Sequence, residues 1–221
     1  MVYKQVLNSL FYLLTATVCS LLIFWTTNHG QTLKVKDFIS PPKGIEHFAV
    51  GMRPQLADLI WIRSIQDIDY CEKSEHAKKC KDNDWLYRML KAVVTLDPKY
   101  YSAYASGGLA LSVLVSDYEG ATEIYNLGIK EYPNDWVLLY RAGYHFLFEV
   151  NDFERASELY SRVSDLGGPF WVVTLGKRLN TKEGKLEVGR KVLDHMIKAE
   201  MPPQFAERLR EKLKAIEASE D

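Results

Sequence analysis

Residues 99–133, KYYSAYASGGLALSVLVSDYEGATEIYNLGIKEYP, and residues 134–169, NDWVLLYRAGYHFLFEVNDFERASELYSRVSDLGGP, are two copies of one plan. Gly108, Asp117, Ala121, Glu123 and Tyr125 of the first copy recur 35 residues later as Gly143, Asp152, Ala156, Glu158 and Tyr160. A period of that length predicts stacked helix pairs, each burying its apolar face against its neighbours. Asp117 and Asp152 mark the turn between the two helices of a pair. Gly108 and Gly143 fall mid-helix, where glycine costs about 1 kcal/mol relative to alanine, so a second helix must press close there. Ala121 and Ala156 offer the small surfaces expected to meet them. Tyr104 and Leu139, Leu111 and Phe146, and Tyr125 and Tyr160 fill the wider gaps, and Pro98 and Pro133 each stand at the end of a unit.

Working outward, PQLADLIWIRSIQDIDY has proline in its first turn and sets Leu56, Leu59, Ile60, Ile62, Ile65 and Ile68 along one broad face. DWLYRMLKAVVTLDP starts at acidic residues near Asp82 to Asp84, suited to a helix N-terminus, and stops at Asp97-Pro98. These two helices make a first unit over 54–98. Residues 170–202 read as a degenerate fourth pair. Residues 203–218 alternate Glu with Arg/Lys and read as a solubilising capping helix.

The pattern resembles a tetratricopeptide repeat. Residues 99–133 fit through Tyr104, Gly108, Leu111, Ala121, Tyr125, Gly128 and Pro133, and residues 134–169 through Gly143, Phe146, Ala156, Tyr160 and Pro169. Val163 stands where the family has a small residue, and the interval from Gly108 to Ala121 is one residue longer than the family's, in both copies. The resemblance implies an all-α fold, a right-handed superhelix (α-solenoid) of antiparallel helix pairs. It also implies a concave groove lined by the first helix of each unit, which takes a peptide or helix of another protein.

The N-terminus adds an attachment. Leu7 to Thr27 carries no charge and is long enough for a transmembrane helix over about 8–27, with Tyr3 and Trp25 placed for the two interfaces. A cleaved signal peptide is the rival reading, but no small-x-small site follows Trp25. Residues 28–53, with Pro41, Pro42 and two glycines, read as an extended linker to a repeat domain at 54–221. Within 1–53, Lys4, Lys34, Lys36, Lys43 and Arg53 stand against Asp37 and Glu46, a balance of +3; the net charge of −1 leaves −4 for the remainder. That balance points away from nucleic acid. Cys71 and Cys80 flank a polar loop. In an oxidising compartment they would form a disulfide; free thiols, or a metal site with His76, are the other readings of the same loop. An uncleaved anchor together with that cysteine pair places the repeat domain on the extracytoplasmic, periplasmic side of a bacterial inner membrane.

For function, Trp136, Tyr140, Tyr144 and Phe148 recur every four residues, a stripe of aromatic anchors of the kind that dominate interfaces. The smaller equivalents in the preceding unit include Ala105 and Leu109, which would leave a hollow beside the ridge. The other reading of the stripe is core between neighbouring units. Arg141 and His145, on an adjacent face, are candidates to meet a carboxylate. Ala105, Ser106, Leu109, Tyr140 and Tyr144 occupy positions where the heat-shock-protein-binding members carry Lys, Asn and Arg, so the resemblance does not extend to that subclass. No catalytic or metal motif with readable spacing occurs, and no cofactor is implied. The sequence therefore reads as a membrane-tethered scaffold or adaptor that holds a partner in an envelope complex. A peptide receptor or chaperone-like factor at the membrane is the alternative, and an enzyme accessory subunit the third reading.

Overall fold

The computed structural model describes residues 12–21, 38–73, 84–169, 171–172, 179 and 181–218, and the side chains of these outside 69–73. All regular structure among them is helical. The chain divides into two compact units, Met1–Asp37 and Phe38–Asp221.

In the first unit residues 12–21 are helical and expose Tyr12, Leu13, Leu14, Val18 and Leu21. The hydroxyls interrupting this apolar stretch turn back onto their own helix: Thr15 donates to the Tyr12 carbonyl, Thr17 to those of Leu13 and Leu14, and Ser20 to that of Ala16. Ten residues rise about 15 Å, half of a hydrocarbon core. No helix among the described residues is long and apolar enough to cross a membrane; the rest of the 8–27 run lies outside them.

The second unit begins in the segment expected to be a linker, and there the expectation is corrected. From Phe38 onward the chain is docked. Phe38 packs edge-on against Trp85 with ring centroids 5.1 Å apart, Ala49 is buried, and a short helix α1 (Ile45–Phe48) lies between them in sequence. Helix α2 (Arg53–Lys73) then pairs with α3 (Trp85–Leu96), whose Trp85, Leu86, Met89, Leu90, Val93, Val94 and Leu96 are buried. Asp84 precedes α3 in a left-handed conformation, φ 50°, and makes no side-chain cap, unlike the acidic N-cap expected there. At 100° per residue the apolar positions of α2 run round the whole helix and not along one face. Ala57 and Ile60 are buried, while Leu59, Ile62 and Ile65 point outward.

The two copies are near duplicates. Residues 101–115 form α4, followed by α5 (Tyr118–Glu131); residues 136–150 form α6, followed by α7 (Phe153–Asp165). Each glycine's close approach is to a tyrosine ring and not to the alanine. A Cβ on Gly108 would stand 2.9 Å from the Tyr125 ring, and one on Gly143 would stand 2.6 Å from that of Tyr160. Asp117 and Asp152 cap the second helices, accepting from the backbone N–H of Gly120 at 2.9 Å and of Arg155 at 3.0 Å.

The extra residue between glycine and alanine has a structural cause. Both first helices end in a π-helical stretch, Ala110–Val115 and His145–Val150, where the i→i+5 pattern widens the turn and absorbs one residue. Each stretch closes on a left-handed residue, Ser116 at φ 61° or Asn151 at φ 62°. The next N–H, of Asp117 or Asp152, then returns to the carbonyl of Leu111 or Phe146.

The C-terminal region forms a helix pair, α8 (Lys182–Lys198) and α9 (Pro203–Ala218). Helix α9 is more than a polar cap. Phe205, Ala206, Leu209 and Leu213 are buried, and α9 packs on the π-helical end of α4.

Candidate functional site: a covered groove

The first helices of the two copies lie side by side, α6 against the Ala103–Gly107 turn of α4. Their shared face is where the aromatic stripe was expected to be open. It is covered. Tyr140, Tyr144 and Phe148 are 8%, 2% and 7% exposed, and Ala105 and Leu109 are buried as well. Trp136 and Arg141 remain half-buried.

The cover is the C-terminal pair. Tyr140 meets Trp171 edge-on at 6.1 Å and His195 at 5.8 Å. Two cations of α9 hold it in place: Arg208 donates to Ser116 Oγ at 3.0 Å, and Lys212 Nζ binds Glu149 Oε2 at 2.6 Å and the Phe148 carbonyl at 2.8 Å. The Glu149 side chain is wholly buried, so Lys212 neutralises a charge that water cannot reach.

A cavity of about 280 Å³ remains between the cover and the groove. Leu109, Trp136, Tyr140, Arg141 and Tyr144 form one side of it; Val192, His195, Met196, Ala199 and Met201 form the other. Five of the seven residues singled out as partner-binding thus converge on one space. Ala105 and Phe148 do not line it. The five lining residues from α8 and the turn that follows it were missed from sequence. Their signal was the stripe Val188, Val192 and Met196, four residues apart, within a segment whose similarity to the preceding repeats is weak.

Polar groups round the cavity are few. Arg141 Nη1 reaches Ser106 Oγ at 3.3 Å. The hydroxyls of Tyr125, Tyr140, Tyr144 and Tyr160 are buried with no hydrogen-bond partner among the described residues, and burial pushes all four phenols well above their ordinary range.

His145, read from sequence as facing a carboxylate, is corrected too. It is fully buried, with Nδ1 2.7 Å from Ser112 Oγ and Nε2 2.9 Å from Thr122 Oγ1. Burial, then the nearby Lys212 charge, lowers its pKa to about 4, so it is a neutral strut joining α4, α5 and α6. No group of three His, Cys, Asp or Glu able to hold a metal occurs among the described residues. Cys80 and His76 lie outside them, as does the Cys71 side chain, so the disulfide and metal readings of that loop do too.

Compared with known proteins, the chain matches no family model, no curated protein and no solved structure.

Proposed function

We propose that this chain is a membrane-tethered scaffold or adaptor: a right-handed array of tetratricopeptide-like helix pairs, moored by residues 8–27, that positions another polypeptide in an envelope complex on the periplasmic face of a bacterial inner membrane. The observation that carries the reading is the convergence of Leu109, Trp136, Tyr140, Arg141 and Tyr144 on one largely apolar cavity, closed on its far side by the chain's own C-terminal pair. Because α8 and α9 fill the rest of the groove, the partner contributes an anchor side chain and not a long extended peptide. A volume near 280 Å³ suits one aromatic or branched aliphatic group, and Arg141 at its edge favours a carboxylate beside it.

Two further features support the reading. The duplicated glycine-tyrosine contacts and aspartate caps are the packing that repeat arrays need. The hydroxyls of Thr15, Thr17 and Ser20 satisfy themselves within the helix, as groups facing lipid must. The cavity's polar lining lacks a carboxylate to pair with its imidazole, which favours binding over acid–base chemistry.

The test uses the full chain with a photo-crosslinking residue at half-buried Val137, illuminated in cell membranes. One protein adduct, lost when Arg141→Ala is added while the melting temperature holds, is the expected result. Many adducts of unrelated size would instead assign a general peptide receptor, and none would refute partner binding at the cavity.

A further inference from the structure

Large exposed apolar side chains in the second unit are concentrated at one end of the chain. Ile39, Phe48, Val50, Met52, Leu59, Ile62 and Ile65 are 50–86% exposed; elsewhere among the described residues of this unit only Ile197 matches them, with Val150 next at 40%. Leu59, Ile62 and Ile65 recur at three-residue steps, so they share the side of α2 that faces away from α3, and Met52 is exposed just before this helix begins. Phe48 and Val50 are in the chain that leads into this helix. Apolar side chains scattered singly over a surface are ordinary; seven within residues 39–65 are a concentration that asks for an occupant.

We propose that this surface rests in the interface of an anionic phospholipid bilayer, so that the repeat array stands on the membrane by α2 as well as being tied to it. The inference rests on the tether reading above and adds a second contact to it. Three observations choose lipid as the occupant. Ile39 stands only 12 positions after Thr27, the end of the uncharged run, a span of at most about 40 Å, so bilayer is within reach of a chain tethered there. Ile39, Phe48, Val50 and Met52 lie in the basic part of the chain, +3 over residues 1–53, which an anionic surface attracts. The side chains themselves are an interfacial set, with Phe, Met and Ile flanked by the exposed cations Lys43 and Arg53, while Arg63 pairs with Asp67 at 3.5 Å.

The test places p-benzoylphenylalanine at position 62 (Ile62→p-benzoylphenylalanine) in the full-length chain, reconstituted in vesicles of three parts phosphatidylethanolamine to one of phosphatidylglycerol. A control chain carries it at exposed Glu158. Illumination is expected to give a phospholipid adduct at 62 and not at 158, reduced about tenfold when Phe48→Glu and Leu59→Glu are introduced. The same substitution at Phe48, outside any long helix, repeats the measurement independently of α2. A crosslinked dimer at 62, no adduct at all, or a protein adduct replacing lipid in intact cell membranes would each overturn the proposal. Release of the chain from vesicles by alkaline carbonate would overturn the tether reading instead, and retention without lipid adduct would overturn only this one.

Discussion

The neutral imidazole of His145 makes the stability of the array depend on pH in a calculable way. The ring is enclosed by Ser112 from α4, Thr122 from α5 and Lys212 from α9. The Tyr125 ring lies 5.4 Å away, and Glu149 follows one turn later on the same helix. Its folded pKa is about 4 against 6.5 for the free side chain. The folded state therefore resists protonation, and the stabilisation is fully present above pH 6.5 and lost as pH falls from 6.5 to 4. At 1.36 kcal/mol per unit, the depression corresponds to about 3 kcal/mol. The assay is urea unfolding of the chain in mild detergent, followed by circular dichroism from pH 7.5 to pH 4. Because carboxylates titrate over the lower half of that range, the quantity to follow is the stability difference between the native chain and His145→Gln. That difference is expected to be largest above pH 6.5 and to shrink by about 3 kcal/mol by pH 4. A difference constant across the range would show that His145 is solvated or already charged, and the three-helix strut would be wrong.

Gly143→Ala sets helix propensity, worth about 1 kcal/mol in favour, against overpacking on the Tyr160 ring at 2.6 Å. A net loss of about 1–2 kcal/mol is expected in thermal melting, and a gain would remove the close approach. Tyr144→Phe deletes a buried hydroxyl that has no partner and is expected to leave stability equal or raise it by about 1 kcal/mol, whereas Tyr144→Ala should cost about 3–5 kcal/mol. Denaturant midpoints decide between these and an exposed ring, for which both changes would be small. Lys212→Ala leaves the Glu149 carboxylate buried and uncompensated, for a loss of about 3 kcal/mol or more. Adding Glu149→Gln should restore most of it, and the double-mutant cycle measures how much.

Much of this architecture is legible in the sequence because the features that encode it are local. The period of 35, the aspartates at the turns and the mid-helix glycines report on contacts within a helix pair; the structure returns the first two, the aspartates as helix caps, and keeps the close approach at the glycines with a tyrosine ring in place of the alanine. What escaped notice depends on contacts far apart in the chain. Lys212 and Arg208 look like solvated charges on a polar helix until Glu149 and Ser116, more than 60 residues earlier, are brought to them. The aromatic stripe of α6 is a binding ridge or a core according to what covers it, and only the fold of residues 181–218 decides. On α2, hydrophobicity predicted burial; with apolar residues on every side, one partner helix leaves Leu59, Ile62 and Ile65 outside.

The C-terminal cover changes what recognition by this array means. An open groove of this kind gains affinity from a long peptide, and specificity from many weak contacts along it. Here the stripe of α6 is already covered, Val192 and Met196 stand across from it, and one cavity is left. On the proposed reading, a partner would either place a single anchor beside Arg141 or displace α9. Displacement would break the Lys212–Glu149 pair and re-expose Phe205, Leu209 and Leu213, a cost that few short peptides could offset. The anchored mode keeps the cover folded and sets the partner's remaining contacts on surfaces next to the cavity. Such an arrangement would suit the proposed scaffold more than a general peptide receptor, which would need the groove open along its length.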